Sequence, residues 1–193
     1  MAPADELPTL RFASAADWEG WLELEHDRAA GVWMTIAKRG AARASVSYAD
    51  ALDVALCFGW IDGQKRALDE HDWLQRFTPR GPRSRWSQRN RQRAQALIDA
   101  GRMRPGGHAE IERARADGRW EAAYPGARDA TVPDDLAAAL AARPAARAFF
   151  DALDGANRYA ILYRIHDARR PATRAARIER FVEMLAAGER IHP

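Results

Sequence analysis

Trp60-Ile61-Asp62-Gly63-Gln64-Lys65-Arg66-Ala67-Leu68 and, after Asp69-Glu70-His71, Asp72-Trp73-Leu74-Gln75-Arg76-Phe77-Thr78 form the stretch whose reading decides the fold. Two extended runs rich in aromatic and apolar residues, joined by a short polar connector, predict an antiparallel hairpin. Pro79 and Pro82 close it, because proline cannot donate to a strand ladder. Upstream, Ser47 is placed to cap a helix whose stripe is Ala51, Leu52, Ala55, Leu56 and Phe58, stopped at Gly59. Val32 to Ala37 reads as a buried strand, and Ser14 as the cap of a helix carrying Trp18, Trp21, Leu22 and Leu24.

Downstream of the hairpin, Ser84 or Ser87 can cap a helix that runs to about Ala100, and a second helix spans about His108 to Asp117. Tyr124 to Pro133 combines turn formers without periodicity and reads as a linker. Beyond it no strand is evident. Helices are expected near 135–142, 144–152, 157–168 and 171–187, the first opening with Pro133 and the acids Asp134 and Asp135. The fold class is therefore α+β: a small antiparallel sheet with helices over residues 10–124, then a helical domain over residues 131–190.

The 193 residues suffice for one sizeable core or two small ones, and 47% hydrophobic against 30% charged residues excludes wholesale disorder. Asp50 and Asp53 interrupt the apolar run from Val46 to Ile61, well short of the roughly 18 to 20 residues of a membrane helix. Membrane insertion is not expected. The acids of Met1-Ala2-Pro3-Ala4-Asp5-Glu6 stand where a secretory signal carries bases, so the N-terminus reads as a leader on a cytoplasmic protein. A single cysteine, Cys57, forbids an internal disulfide and reads as a small buried hydrophobe.

Glu23 and His26 have a metal-helix spacing without a second copy, so no metal site is expected. Nucleotide-loop, dinucleotide, zinc-protease and serine-elbow motifs are missing as well, and neither a cofactor nor a reaction is indicated.

The net charge of +3 hides a local asymmetry. Between Gln75 and Arg104, nine arginines face one acid, Asp99. The proline-punctuated stretch from Arg76 to Asn90 brings Arg80, Ser84, Trp86, Ser87 and Asn90 to a helix N-terminus, where free N–H groups and guanidinium forks favour an anion. Asp62, facing Arg80 or Arg83, would supply the polar floor of a pocket walled by Trp60, Trp73 and Trp86. The alternative for these residues is structural: serine caps, a packed Trp86 and an Asp62 salt bridge that fixes the loop. A further alternative is nucleic acid, held by the basic helix 87–100 through Gln88, Arg89, Asn90 and Arg91.

Ser47-Tyr48-Ala49-Asp50-Ala51-Leu52, the run Ala55 to Gly63, Arg76-Phe77-Thr78-Pro79-Arg80, Gly101-Arg102-Met103 and Asp117-Gly118-Arg119-Trp120 lead to a family likeness. Past the linker it continues in Val132-Pro133-Asp134-Asp135-Leu136, Phe149-Phe150, Thr173-Arg174 and Arg177-Ile178. The chain resembles the YdeI/OmpD-associated, or bacteriocin-protection, family from about Trp18 to Gly188. The family pattern has Ala-Lys and Glu-Thr-Arg where this chain has Ala168-Arg169 and Ala172-Thr173-Arg174, so a lysine and an acid are missing.

The resemblance implies a YjbR/CyaY-like first part, tolerance of bacteriocins or cationic antimicrobial peptides, and porin association. It implies no catalytic activity. The expectation is a stress or antimicrobial-peptide tolerance protein, not an enzyme, that binds an anionic small molecule or acidic protein partner through Trp60, Asp62, Arg80, Ser84, Trp86, Ser87 and Asn90. An enzyme of unknown reaction built on Asp62 and Arg80 is the remaining alternative.

Overall fold

The computed structural model describes residues 6–193, so the leader expected at Met1 to Glu6 lies, but for Glu6, outside the described residues. The chain divides into two units, one of residues up to Trp86 together with Asn90–Ala122, the other of Ser87–Arg89 together with Ala123–Pro193.

In the first unit the hairpin forms as read: β3 (Trp60–Ala67) pairs antiparallel with β4 (Asp72–Pro79), and β2 (Val32–Ala37) lies on the other side of β4. Asp69 fixes the turn by accepting from the amides of His71 and Asp72 at 2.7 and 2.8 Å. The sheet has one more strand than the sequence suggests. Two residues, Thr9–Leu10, form β1 parallel to β2, giving the order β1-β2-β4-β3 and making the sheet mixed instead of purely antiparallel. So short a strand carries no periodicity to read.

The register sorts side chains onto two faces. Val32, Met34, Ile36, Gln75 and Phe77 share one face, with Val32 opposite Phe77 and Met34 opposite Gln75. Against Phe77 packs α1 (Ala15–Glu25) through Trp18, whose ring lies 5.8 Å away. Trp18 stacks on Trp21 at 5.3 Å, and Trp60 meets both edge-on. Trp18, Leu22, Trp60 and Phe77 are almost wholly excluded from water. Leu24, expected on this stripe, is 68% exposed, because at six residues from Trp18 it falls on the far side of the helix from the packed face.

Ser47 caps α2 (Tyr48–Cys57) as expected, accepting from the Asp50 amide at 3.1 Å. Helix α3 spans Gln88–Asp99 and α4 spans Pro105–Ala116, the latter starting earlier than its apolar pattern shows because Pro105 occupies the first turn, where proline is tolerated. A β-carbon on Gly107 would stand 2.3 Å from the Cys57 carbonyl, so α4 meets the end of α2 backbone to backbone, and only glycine permits it.

The second unit is helical: α5 (Asp134–Ala141), α6 (Pro144–Ala152), α7 (Gly155–Asp167) and α8 (Pro171–Ala186). They enclose Leu136, Leu140, Phe150, Ile161, Ile165 and Leu185. Helix α7 begins two residues before the apolar pattern, since Asp154 caps it by accepting from the Asn157 amide at 2.8 Å. Buried Asn157 also accepts from the His192 amide at 2.8 Å, tying the chain's last residues to the start of α7.

Candidate functional site

Of the seven residues singled out in the sequence, Arg80, Ser84 and Trp86 come together in one loop and the others go to separate places. Trp60 is core, its Nε1 donating to the His26 carbonyl at 3.2 Å. Asp62 accepts from the Tyr48 hydroxyl at 2.7 Å. Trp73 lies by Tyr48, at 6.0 Å, with the Lys65 ammonium 4.2 Å over its ring. Trp86 packs on Trp120 at 4.8 Å. The expected pocket of Trp60, Trp73 and Trp86 over an Asp62–Arg80 floor is thus not assembled, since the three indoles join three different clusters.

Arg80 is 6% exposed, its guanidinium 3.6 Å over the Trp86 ring while Nη1 donates to the Arg85 carbonyl at 3.1 Å. A buried fork of this kind does not reach a ligand in solvent. The loop turns inward for a local reason: the Ser84 amide donates to the Gly81 carbonyl and Ser84 Oγ accepts from the Gly81 amide, both at 2.9 Å. Ser84 also offers its carbonyl to Arg119 Nη1 at 2.9 Å. Arg119 in turn meets the buried Glu110 at 3.0 Å and Asp117 at 2.7 Å. Burial opposes the charge on Arg119, but the hydrogen bonds to Asp117 and Glu110 outweigh it and hold its pKa above the usual arginine value. These residues knot the loop to α4.

Ser87 precedes α3 and bridges Tyr124, while Asn90 sits half-buried in the first turn of α3. Two arginines of α3 turn to partners within the first unit: Arg91 donates to the Trp120 carbonyl at 3.2 Å, and Arg93 lies 3.0 Å from Asp53. The exposed positions of the helix are Arg89, Gln92, Gln95, Ala96 and Asp99.

A partly open recess that the sequence reading missed lies in the helical unit. Its volume is about 140 Å³, with walls from Tyr124, Pro125, Tyr159, Tyr163, His166 and Arg174. Tyr159, Tyr163 and His166 are four and three residues apart on α7, one face of the helix, while Ile161 and Ile165 face the core. That stripe was the available signal, hidden because Tyr124 falls in the apparent linker. Tyr163 meets Tyr124 edge-on at 5.0 Å and Tyr159 at 6.0 Å. Tyr159 donates its hydroxyl to the Pro125 carbonyl at 3.1 Å, and the Tyr124 carbonyl accepts from the Gln88 amide at 2.8 Å.

Arg174 closes one wall, its Nη2 at 2.9 Å from Asp135 and its Nη1 donating to the Ile165 carbonyl at 2.9 Å. Hydrogen bonding from Arg174 holds the Asp135 carboxyl below the usual aspartate range. The wall is therefore polar but internally neutralised, and aromatic faces dominate the rest.

Fold and recess together define an α+β protein whose helical unit carries a small tyrosine-walled recess. Residues 10–110 match a domain of unknown function, DUF8412, and the chain belongs to that family. Residues 129–188 match a second family, described as bacteriocin-protection, YdeI or OmpD-associated. The YdeI/OmpD-associated likeness read from Trp18 to Gly188 is thus shown for residues 129–188 alone, and the first part matches the domain of unknown function in place of the expected YjbR/CyaY-like family. No curated protein and no solved structure matches the chain.

Proposed function

We propose that the protein is a non-catalytic binding protein of the cytoplasm whose helical unit takes a small ligand in the tyrosine recess, with tolerance of bacteriocins or cationic antimicrobial peptides as its output. The observation that carries this reading is the recess itself, which lies largely within the segment matching the bacteriocin-protection family. A cavity of roughly 150 Å³ accepts a single benzene-sized ring. Tyrosine faces favour such a ring, and because Asp135 already neutralises Arg174 at the wall the recess favours an uncharged one. The ligand class is a neutral aromatic of one ring. For the first unit, the order of helix, strand and hairpin supports the proposal of a YjbR/CyaY-like fold.

Nucleic acid is the less supported partner, because Arg91 and Arg93 on α3 are engaged within the first unit and the exposed face of that helix carries one arginine, Arg89.

Phenol is the probe. A saturable rise in melting temperature is expected for the wild-type chain and its loss in Tyr163→Ala, and a bacterial host expressing the wild type should survive a cationic peptide better than one expressing that variant. Equal shifts in both proteins would remove the recess as the site. Equal survival would detach it from tolerance.

A further inference from the structure

A second, larger depression of the helical unit shares Arg174 with the tyrosine recess. It is an open groove of about 640 Å³ between α5 and α8. Its origin is α5 itself, where alanine fills positions 137, 138, 139 and 141. Leu136 and Leu140, four residues apart, go to the core, and the neighbouring stripe offers only Ala139 and Ala142 to the groove as apolar surface. From α8 come Ile178 and Val182, both buried, with Ala175 as the next side chain toward solvent. Alanines at these positions are too short to fill the furrow between the two helices.

The floor is thus apolar, and the charges around it do not balance. Asp135 and Arg174 cancel each other, Arg174 Nη2 lying 2.9 Å from the Asp135 carboxylate. Glu179 and Glu183 stand one turn apart on α8, both exposed, and among the described residues neither carboxylate meets a cation or a hydrogen-bond donor. Like charges at this spacing repel and weaken the helix that carries them, a repulsion that a cation between them would relieve. Against the two acids stands Arg143 alone, so the lining is net negative.

Length decides what fits. Helix α5 has eight residues, about 12 Å of wall, too short to seat a partner helix of several turns. The volume is that of a small-molecule site, in which an apolar body is buried and a few polar groups fix its orientation.

We propose that the groove binds a small amphiphilic organic cation, its apolar body against Ile178, Val182 and Ala139 and its ammonium group at Glu179 and Glu183. The site does not rest on the tyrosine recess, which is smaller and takes an uncharged ring.

The test is a calorimetric titration of the full chain with decylammonium, decanol and decanoate, one apolar body with three head groups, each kept below the concentration at which it aggregates. Saturable one-to-one binding of decylammonium is expected, with decanol weaker and decanoate weakest. Its Kd should rise about tenfold when Glu179→Gln and Glu183→Gln are combined, the worth of two solvent-facing ion pairs. In Glu112→Gln, which removes an exposed acid of the first unit, it should stay unchanged. Ala175→Phe, a substitution at an exposed position, should fill the groove and abolish binding. Circular dichroism checks each fold, and if Ala175→Phe does not fold, the double glutamine variant decides. An excess of phenol should leave the decylammonium titration unchanged, which separates this site from the recess. No saturable binding of decylammonium, equal affinity for the three probes, displacement by phenol, or wild-type affinity in either folded variant overturns the proposal.

Discussion

Replacing Arg80 with alanine removes the buried cation over the buried Trp86 ring and the donor to the half-buried Arg85 carbonyl. An expected loss of about 1 to 3 kcal/mol follows from losing a hydrogen bond from a charged donor, read as a lower urea midpoint. Trp60→Ala, which empties the centre of the tryptophan cluster, should cost about 3 to 5 kcal/mol by the same measurement. Unchanged stability in Arg80→Ala, together with lost anion binding, would return the loop to the role the sequence suggested. Cys57 supplies a third expectation at this scale. Burial pushes its thiol up to about 11, so the native protein at pH 8 should react with a disulfide reagent far more slowly than the urea-unfolded chain. Equal rates would show that the end of α2 opens readily.

At the scale of elements, the loop after β4 depends on α4 through Glu110, whose side chain is 2% exposed and pairs with both Arg113 and Arg119. Removing one partner of a buried ion pair leaves the other charge uncompensated, a loss of about 3 to 5 kcal/mol. Glu110→Ala should show it as a lower denaturation midpoint and should loosen Trp86, seen as a change in near-ultraviolet circular dichroism. An unaltered spectrum would separate the loop from the helix.

Elements of this kind differ in how far the sequence exposes them. The hairpin, β2, α1 and α2 were legible because their aromatic and apolar residues recur at strand or helix spacing and their caps are serine. β1 was not, being two residues long. Arg80 reads from the sequence as a ligand-binding cation, since a sequence shows the charge of an arginine but not the indole it will lie on. The recess escaped for a related reason: its tyrosines look like ordinary amphipathic surface until Tyr124 is brought to α7 by pairing with Ser87.

For the whole molecule, acid is the informative variable. The depressed pKa of Asp135 means that its bond to Arg174 contributes stability above the ordinary aspartate value of about 3.9, and that the contribution fades as pH falls through the lower folded value. The melting-temperature gap between wild type and Asp135→Asn should therefore be open at pH 6 and closed in strong acid. A gap that persists there would assign the difference to packing. The division of the chain into two units has a consequence of another kind. Because Ser87–Arg89 belongs with the helical unit while the residues on either side of it belong with the first, the chain is interleaved, and no single cut yields both units whole. A fragment starting at Ala123 keeps α5 to α8 and every tyrosine of the recess, yet it leaves behind the Ser87 bridge and the Gln88 amide that hold Tyr124 in register. The helical segment is thus no detachable cassette: one tyrosine wall of its recess is held by Ser87 and Gln88, borrowed from far upstream.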